Sequence, residues 1–138
     1  MSSPAAAAAI TEFGSLRVAA EQCVSCGLAA TRSTVVFGEG DPSAQLLIVG
    51  EAPGAEEDRT GRPFVGRSGQ LLDRLLSEEL DLDRSCCFIA NVVKCRPPAN
   101  RDPLRGEVDA CRPWLHRQVE LMAPAAVLTL GNFASRTL

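Results

Sequence analysis

Three short apolar runs alternate along the chain with two longer segments of helical periodicity. The runs at 45–50, 86–93 and 125–130 contain no charged residue and have the length of buried strands. Leucines at helical spacing in 66–80, and an apolar face in 103–122, predict two amphipathic helices between them. With a helical segment ahead of the first run, this order predicts a three-layer α/β/α fold around a central parallel sheet.

We expect the chain to form a single domain over residues 1–138. A length of 138 residues with 46% hydrophobic content is enough for one core and too short for two. Charged residues make up 22% of the chain and carry both signs, which argues against disorder. The small, alanine-rich residues 1–10 are expected to be flexible, and Pro113 is expected to bend or break the helix at 103–122.

The charge balance does not by itself indicate a nucleic-acid-binding protein. The net charge is -3 and the isoelectric point is about 5.2, so an anionic partner must be met by a local basic patch. The sequence shows neither a secretory signal nor a long apolar run. We therefore expect a cytoplasmic monomer with no membrane association, in which the six cysteines are ligands or free thiols.

Four cysteines give the strongest chemical signal in the sequence. Cys23 and Cys26 form a Cys-x-x-Cys pair, whereas Cys95 and Cys111 lie far downstream around a stretch rich in Arg, Pro and Asn. Four thiolates gathered by folding suit either tetrahedral zinc or an iron–sulfur cluster, and the spacing favours the cluster only modestly. The remaining cysteines, at 86–87, are expected to be buried as small apolar residues.

The predicted sheet brings three segments to the carboxyl ends of its strands, where open α/β sheets bind ligands. The glycine turn at 50–54 matches neither a P-loop nor a dinucleotide motif. Phe64, in a polar loop bounded by glycines, is either a core residue or a stacking surface for a base. Asn91 is either a satisfied turn residue or a reader of a base edge. The acidic residues 56–58 are expected to form a solvated face, or a helix N-terminus where the dipole favours them, rather than a catalytic cluster.

Four sequence segments, taken together, are specific enough to indicate one protein family. They read Gly-Glu-Ala-Pro-Gly at 50–54, Gly-Arg-Pro-Phe-Val-Gly-Arg-Ser-Gly at 61–69, Asn-Val-Val-Lys-Cys-Arg-Pro-Pro at 91–98 with Asn-Arg at 100–101, and Cys-Arg-Pro-Trp-Leu at 111–115. From about Cys23 onward, the chain resembles the family 4 uracil-DNA glycosylases, the iron–sulfur uracil glycosylases of bacteria and archaea. The resemblance implies hydrolysis of the N-glycosidic bond of uracil in DNA, which starts base-excision repair. It also implies a structural [4Fe–4S] cluster held by Cys23, Cys26, Cys95 and Cys111.

The same resemblance implies roles for individual residues. Phe64 would stack on a flipped-out uracil, and Asn91 would read the base edge that separates uracil from cytosine. Gly50, Glu51 and Ala52 would line the pocket, with Glu51 positioning the attacking water. The residues implied to meet DNA phosphates are Lys94, Arg96, Arg101 and Arg105.

The chain also departs from the family pattern. The family has a later His-Pro-Ser motif that this sequence does not contain, and its single histidine, His116, cannot take that place. We therefore expect a truncated member that lacks the last strand and helix of the fold, with impaired activity. Two alternatives are a non-catalytic iron–sulfur module that binds uracil or DNA, and a zinc-stapled α/β protein unrelated to uracil.

Overall fold

In the computed structural model, which describes residues 3–138, four strands and five α-helices form a layered α/β arrangement. The strands are β1 (Glu39–Gly40), β2 (Leu46–Gly50), β3 (Phe88–Asn91) and β4 (Ala126–Thr129). The helices are α1 (Phe13–Glu21), α2 (Ala55–Thr60), α3 (Arg67–Leu80), α4 (Arg105–Met122) and α5 (Asn132–Thr137). Short 3₁₀ turns occupy Pro4–Ala9, Gly27–Ala30, Arg84–Cys86 and Pro98–Asn100.

The sheet has the strand order β1-β3-β2-β4. Strands β3, β2 and β4 are parallel and correspond to the three apolar runs, which confirms the predicted fold class. The sheet is mixed rather than wholly parallel, because β1 pairs antiparallel with β3. Strand β1 is only two residues long, which is too short to show an alternating pattern, so the sequence did not predict it. A Cβ on Gly40, whose φ is 126°, would overlap the carbonyl oxygen of Cys87, so this pairing requires glycine.

Two apolar cores lie on opposite faces of the sheet. Leu47 and Val49 of β2 pack in the core that includes residues of α1 and α4, among them the fully buried Leu115. Ile48, between them in sequence, points to the other face and packs with Leu72 and other residues near α3. This alternation follows from strand geometry, in which successive side chains leave opposite faces. It produces the three predicted layers.

Three details differ from the sequence-based expectations. Within 1–10, residues 1 and 2 lie outside the described residues, but Pro4–Ala9 form a 3₁₀ turn in which Ala7 is fully buried, where flexibility was expected. Helix α4 continues through Pro113 rather than breaking, because the residues that follow Pro113 are anchored in the core. Cys87 is buried as expected, but Cys86 is exposed because it ends a turn ahead of β3.

None of the helices in the described part of the chain combines the length and the apolar character needed to cross a membrane.

Candidate active site

The last residues of two parallel strands lie side by side at the carboxyl edge of the sheet. Gly50 of β2 is in register with Asn91 of β3. A Cβ on Gly50 would lie 2.7 Å from Asn91 Oδ1 and would overlap the ring of Phe64. The missing side chain at Gly50 therefore lets an aromatic ring and an amide approach the same point from two directions.

These residues line one cavity of about 590 Å³. Its lining includes the five residues that the sequence predicted for a base-binding pocket: Gly50, Glu51, Ala52, Phe64 and Asn91. Leucines of α3 and Leu130, which follows β4, add an apolar wall. Apolar walls with a few convergent polar groups are typical of sites for small organic ligands.

Asn91 carries an unsatisfied acceptor into this cavity. The residue is 2% exposed, and its Oδ1 has no hydrogen-bond partner among the described residues. A buried polar atom without a partner costs about 1–3 kcal/mol, so such atoms are rare in folded proteins. A ligand that presents an N–H group to Asn91 would remove that cost.

Glu51 is a second polar group in the pocket. Partial burial raises the pKa of its carboxyl above the usual range, and the charge and hydrogen bond of nearby Asp102 raise it further. A raised carboxyl pKa means that the group keeps its proton to higher pH than it would in water. The ionised form, which can accept a hydrogen bond from water, is therefore favoured as the pH rises.

A second cavity gathers the four cysteines that the sequence singled out. Cys23, Cys26, Cys95 and Cys111 all line it, and Trp114 covers it. The cysteines come from three separated parts of the chain, so folding alone brings them to one place.

Hydrogen bonds to sulfur mark two of these thiols. Arg32 Nη1 donates to Cys95 Sγ at 3.4 Å, and the backbone N–H of Lys94 donates to Cys111 Sγ at 3.3 Å. Donors of this kind stabilise thiolate ligands. Burial nevertheless raises the pKa of Cys95 and raises that of Cys111 to about 12, so both are neutral thiols in the absence of a cation.

The cysteines fit a thiolate-bound centre by donor type and by location. Their side chains are not arranged around a metal position: in residues 3–138, no group of three or more His, Cys, Asp or Glu side chains is placed to hold a metal ion. Thiol donors suit both zinc and iron–sulfur clusters. The four cysteines therefore indicate a thiolate-bound metal centre, but they do not distinguish zinc from an iron–sulfur cluster.

Comparison with known proteins identifies the family. The sequence-family model of the uracil DNA glycosylase superfamily matches residues 37–138 of this chain. This range contains the four strands described above and the cavity at their carboxyl ends. The chain belongs to the uracil-DNA glycosylase superfamily.

Relatives within this superfamily confirm the resemblance to family 4. The type-4 uracil-DNA glycosylase of Sulfurisphaera tokodaii is 49% identical over 114 residues, which are 83% of this chain and 52% of the relative. That of Saccharolobus solfataricus is 48% identical over 114 residues, 83% of this chain and 53% of the relative. That of Pyrobaculum aerophilum is 48% identical over 118 residues, which are 86% of this chain and 60% of the relative. The chain spans about half the length of the curated relatives it matches.

Three of the four residues predicted to contact DNA have side chains that reach solvent. Arg105, at the start of α4, is 96% exposed. Arg96 donates to the side chain of Asn100 at 2.7 Å, and Arg101 forms two hydrogen bonds, at 2.8 and 3.0 Å, to the carboxylate of Glu107. Asn100 lines the cavity at the carboxyl ends of the strands, so Arg96 lies next to that cavity.

Lys94 is not a surface residue, and the prediction that it contacts DNA phosphates is wrong. It is 1% exposed, and its Nζ donates to the backbone carbonyl of Asn91 at 2.9 Å and to the side chain of Gln118. Burial lowers its pKa to about 8. The ammonium group therefore supports the strand end that carries Asn91. In the sequence, a lysine beside arginines and prolines could not be distinguished from its exposed neighbours.

Glu57 is a site residue that the sequence did not reveal. Its Oε1 accepts the N–H of Gly54 at 2.9 Å, and its Oε2 accepts the N–H groups of Val65 at 3.0 Å and Gly66 at 2.8 Å. One carboxylate thus ties the glycine turn after β2 to the loop that carries Phe64.

The acidic residues 56–58 lie in the first turn of α2, which agrees with the expected helix N-terminus, but only the first of them is largely exposed to solvent. Glu56 is exposed and pairs with Arg59. Asp58 is 6% exposed and accepts backbone N–H groups from Ser33 and Thr34 at 2.9 and 3.1 Å. Three neighbouring carboxylates look alike in sequence, and only the tertiary positions of the N–H donors separate their roles.

Arg84 holds the Phe64 loop from its other side. Its Nη1 donates to the Phe64 carbonyl at 2.8 Å, and its Nη2 donates to the Pro63 carbonyl at 2.7 Å. Phe64 has a φ of 52°, a left-handed conformation that costs of order 1–3 kcal/mol for a residue other than glycine. Glu39 and Asp73 in turn pair with Arg84 at 3.2 and 3.1 Å. Two charged side chains, Glu57 on one side and Arg84 on the other, therefore fix the loop that carries the Phe64 ring.

Replacing Glu57 by glutamine tests this arrangement. The change keeps the size of the side chain but turns an NH₂ group toward backbone N–H donors, so at least one donor loses its partner. We expect the free energy of unfolding to fall by about 1–3 kcal/mol, measured by urea denaturation at neutral pH. Glu56→Gln is the matched control and should change stability by less than about 1 kcal/mol, because its ion pair is exposed. Equal effects of the two substitutions would contradict the role given to Glu57.

Proposed function

We propose that this chain is a uracil-DNA glycosylase, which hydrolyses the N-glycosidic bond of uracil in DNA and so starts base-excision repair. The observation that carries the proposal is that Phe64 and Asn91 meet in one cavity over Gly50 at the carboxyl ends of two parallel strands. Membership of the superfamily and the similarity to type-4 enzymes support it.

Recognition of the base follows from the chemistry of Asn91. A duplex base must leave the stack before it can enter a pocket of this kind. Uracil presents an N3–H donor beside a carbonyl oxygen, which complements the free Oδ1 and the NH₂ group of one amide. Cytosine presents an acceptor at N3 and an amino group beside it, so it would leave the buried amide mispaired. Stacking on an aromatic ring such as Phe64 contributes about 1–3 kcal/mol and does not depend on base identity.

Bond cleavage places different demands on the same pocket. Breaking the N-glycosidic bond leaves an anionic uracil, which hydrogen-bond donors in a site shielded from water stabilise. The Asn91 amide supplies one such donor. Glu51 lies in the same cavity, where its ionised carboxyl would orient the attacking water. Because burial and nearby Asp102 raise the pKa of Glu51, this form becomes populated at a higher pH than it would for a free carboxyl group.

Release of uracil from a defined oligonucleotide tests the proposal. We expect the chain to release uracil, and not thymine, from otherwise identical strands, measured by cleavage at the resulting abasic site. Asn91→Ala should reduce the rate by about 100-fold or more, because a donor to the leaving group is lost, while DNA affinity stays within a few-fold. Gln70→Ala, which removes an exposed amide on α3, is the control and should match the unmodified chain.

Two outcomes would contradict this function. If Asn91→Ala releases uracil at the unmodified rate, Asn91 is not part of the reacting site. If the unmodified chain binds uracil-containing DNA but releases no base, the non-catalytic binding module is the correct description.

We also propose that Cys23, Cys26, Cys95 and Cys111 hold a [4Fe–4S] cluster. Support comes from their shared cavity, from the N–H donors to the sulfurs of Cys95 and Cys111, and from the similarity to type-4 enzymes. When bound, the cluster supplies a structural cross-link rather than a redox step. It would join the segment after α1 to the loop after β3 and to α4, next to the strand end that carries Asn91.

Metal analysis of cysteine variants tests the cluster. Protein purified without oxygen should absorb broadly in the visible range and contain iron and acid-labile sulfide in equal amounts. Cys95→Ser should lose most of this absorbance, because it removes a buried ligand and its hydrogen bond from Arg32. Cys86→Ser is the control, since Cys86 is exposed and does not line the cavity. A colourless protein with stoichiometric zinc would instead support the zinc-stapled alternative.

A further inference from the structure

A groove with an excess of positive charge lies between α4 and α5. It has a volume of about 800 Å³, and its charged lining consists of three guanidinium groups and one carboxylate: Arg105, Arg112, Arg136 and Asp109. The chain as a whole carries a net charge of -3, so the charge of this groove is opposite in sign to that of the whole chain. A local excess of one charge within a concave surface attracts ligands of the opposite charge.

The groove adjoins the pocket proposed for uracil through two shared segments. In one segment Asn100 lines the pocket and Pro103 lines the groove; in the other, Leu130 lines the pocket and Asn132 lines the groove. Two or three residues of chain span at most about 7–11 Å. Because one DNA strand advances by about 3.4 Å per nucleotide, the groove lies within a few nucleotides of a base held in the pocket.

The arginines of the groove are available to a ligand. Arg105 is 96% exposed and lies 3.8 Å from Asp109, a contact at the outer limit for an ion pair. Arg112 pairs with the same carboxylate at 3.2 Å, while its Nε is buried without a hydrogen-bond partner among the described residues. Two cations therefore share one anion. Partly exposed pairs of this kind contribute about 0–1 kcal/mol, so a phosphate can replace them at little cost.

Guanidinium groups also suit the geometry of a phosphate. The planar fork of arginine donates two parallel hydrogen bonds to a phosphate, as a lysine ammonium cannot. Arg136 projects from α5 on the side of the groove opposite α4, so donors line both walls. Arg101 differs, because both of its terminal nitrogens already bond Glu107.

We propose that the groove lined by Arg105, Arg112 and Arg136 binds the phosphates that flank the uracil nucleotide on the same DNA strand. The inference rests on the proposed function, since it assigns the groove to the strand whose base enters the pocket. It adds Arg112 and Arg136 to the expected DNA contacts; of the three arginines in the groove, only Arg105 was among the contacts predicted from the sequence. It also accounts for how an acidic chain approaches a polyanion.

The salt dependence of DNA binding tests this proposal without any need for cleavage. An oligonucleotide lacking uracil is titrated by fluorescence anisotropy at several salt concentrations. For the double variant Arg112→Gln, Arg136→Gln we expect affinity to fall about 10- to 100-fold at low salt. The slope of log K against log salt should shrink by about 1–2, as the loss of two phosphate contacts requires. The single variant Arg136→Lys should keep most of the unmodified slope, because the charge is retained.

Arg74→Gln is the matched control, as an exposed arginine on α3 that does not line either cavity. It should leave both affinity and slope unchanged, and unfolding midpoints should show that every variant is folded. A double variant that binds with the unmodified slope would overturn the groove assignment, even if uracil is released normally. A reduced slope in a chain that releases no uracil would support the groove and reject the enzymatic function.

Discussion

The ends of β2 and β3 lie in register, and the candidate site depends on the pairing of Gly50 with Asn91 at that edge. Because Gly50 has no side chain, the Phe64 ring and the Asn91 amide reach the same volume. Any larger residue at this position would overlap the ring. The surface of the candidate site is therefore set by backbone register and by one absent side chain, rather than by flexible groups.

Charged residues inside the fold keep this geometry in place. Lys94 bonds the carbonyl of Asn91 from within the core, Glu57 joins the two loops at the pocket, and Arg84 holds the carbonyls of the Phe64 loop. A buried charge is costly unless hydrogen bonds replace its water, and each of these groups has such partners. As a result, part of the apparent basic and acidic surface in the sequence is internal structure. The arginines that we propose for the groove that binds DNA phosphates lie elsewhere, on α4 and α5.

Local patterns in the sequence account for most of the fold, and the resemblance to a known family accounts for the residues of the pocket. The uncharged runs predicted the three parallel strands, since a strand covered on both faces must be apolar throughout. The resemblance to the family 4 uracil-DNA glycosylases implied that Gly50, Phe64 and Asn91 share one pocket. The sequence could not predict β1, which is two residues long, or the tethers made by Glu57 and Arg84. It also gave the wrong surroundings for Lys94. These features depend on which backbone atoms lie close together in the folded chain. The residues adjacent in sequence do not indicate those contacts.

The most direct test of the account is whether free uracil contacts the Asn91 amide. The side-chain NH₂ signals of Asn91 can be followed by ¹⁵N NMR while uracil, and separately cytosine, is added to the protein. We expect a saturable shift of these signals with uracil, a much smaller shift with cytosine, and weaker binding of uracil to the Phe64→Ala variant. Equal shifts with both bases, or no shift with uracil, would show that this amide does not read the base and would contradict the central claim.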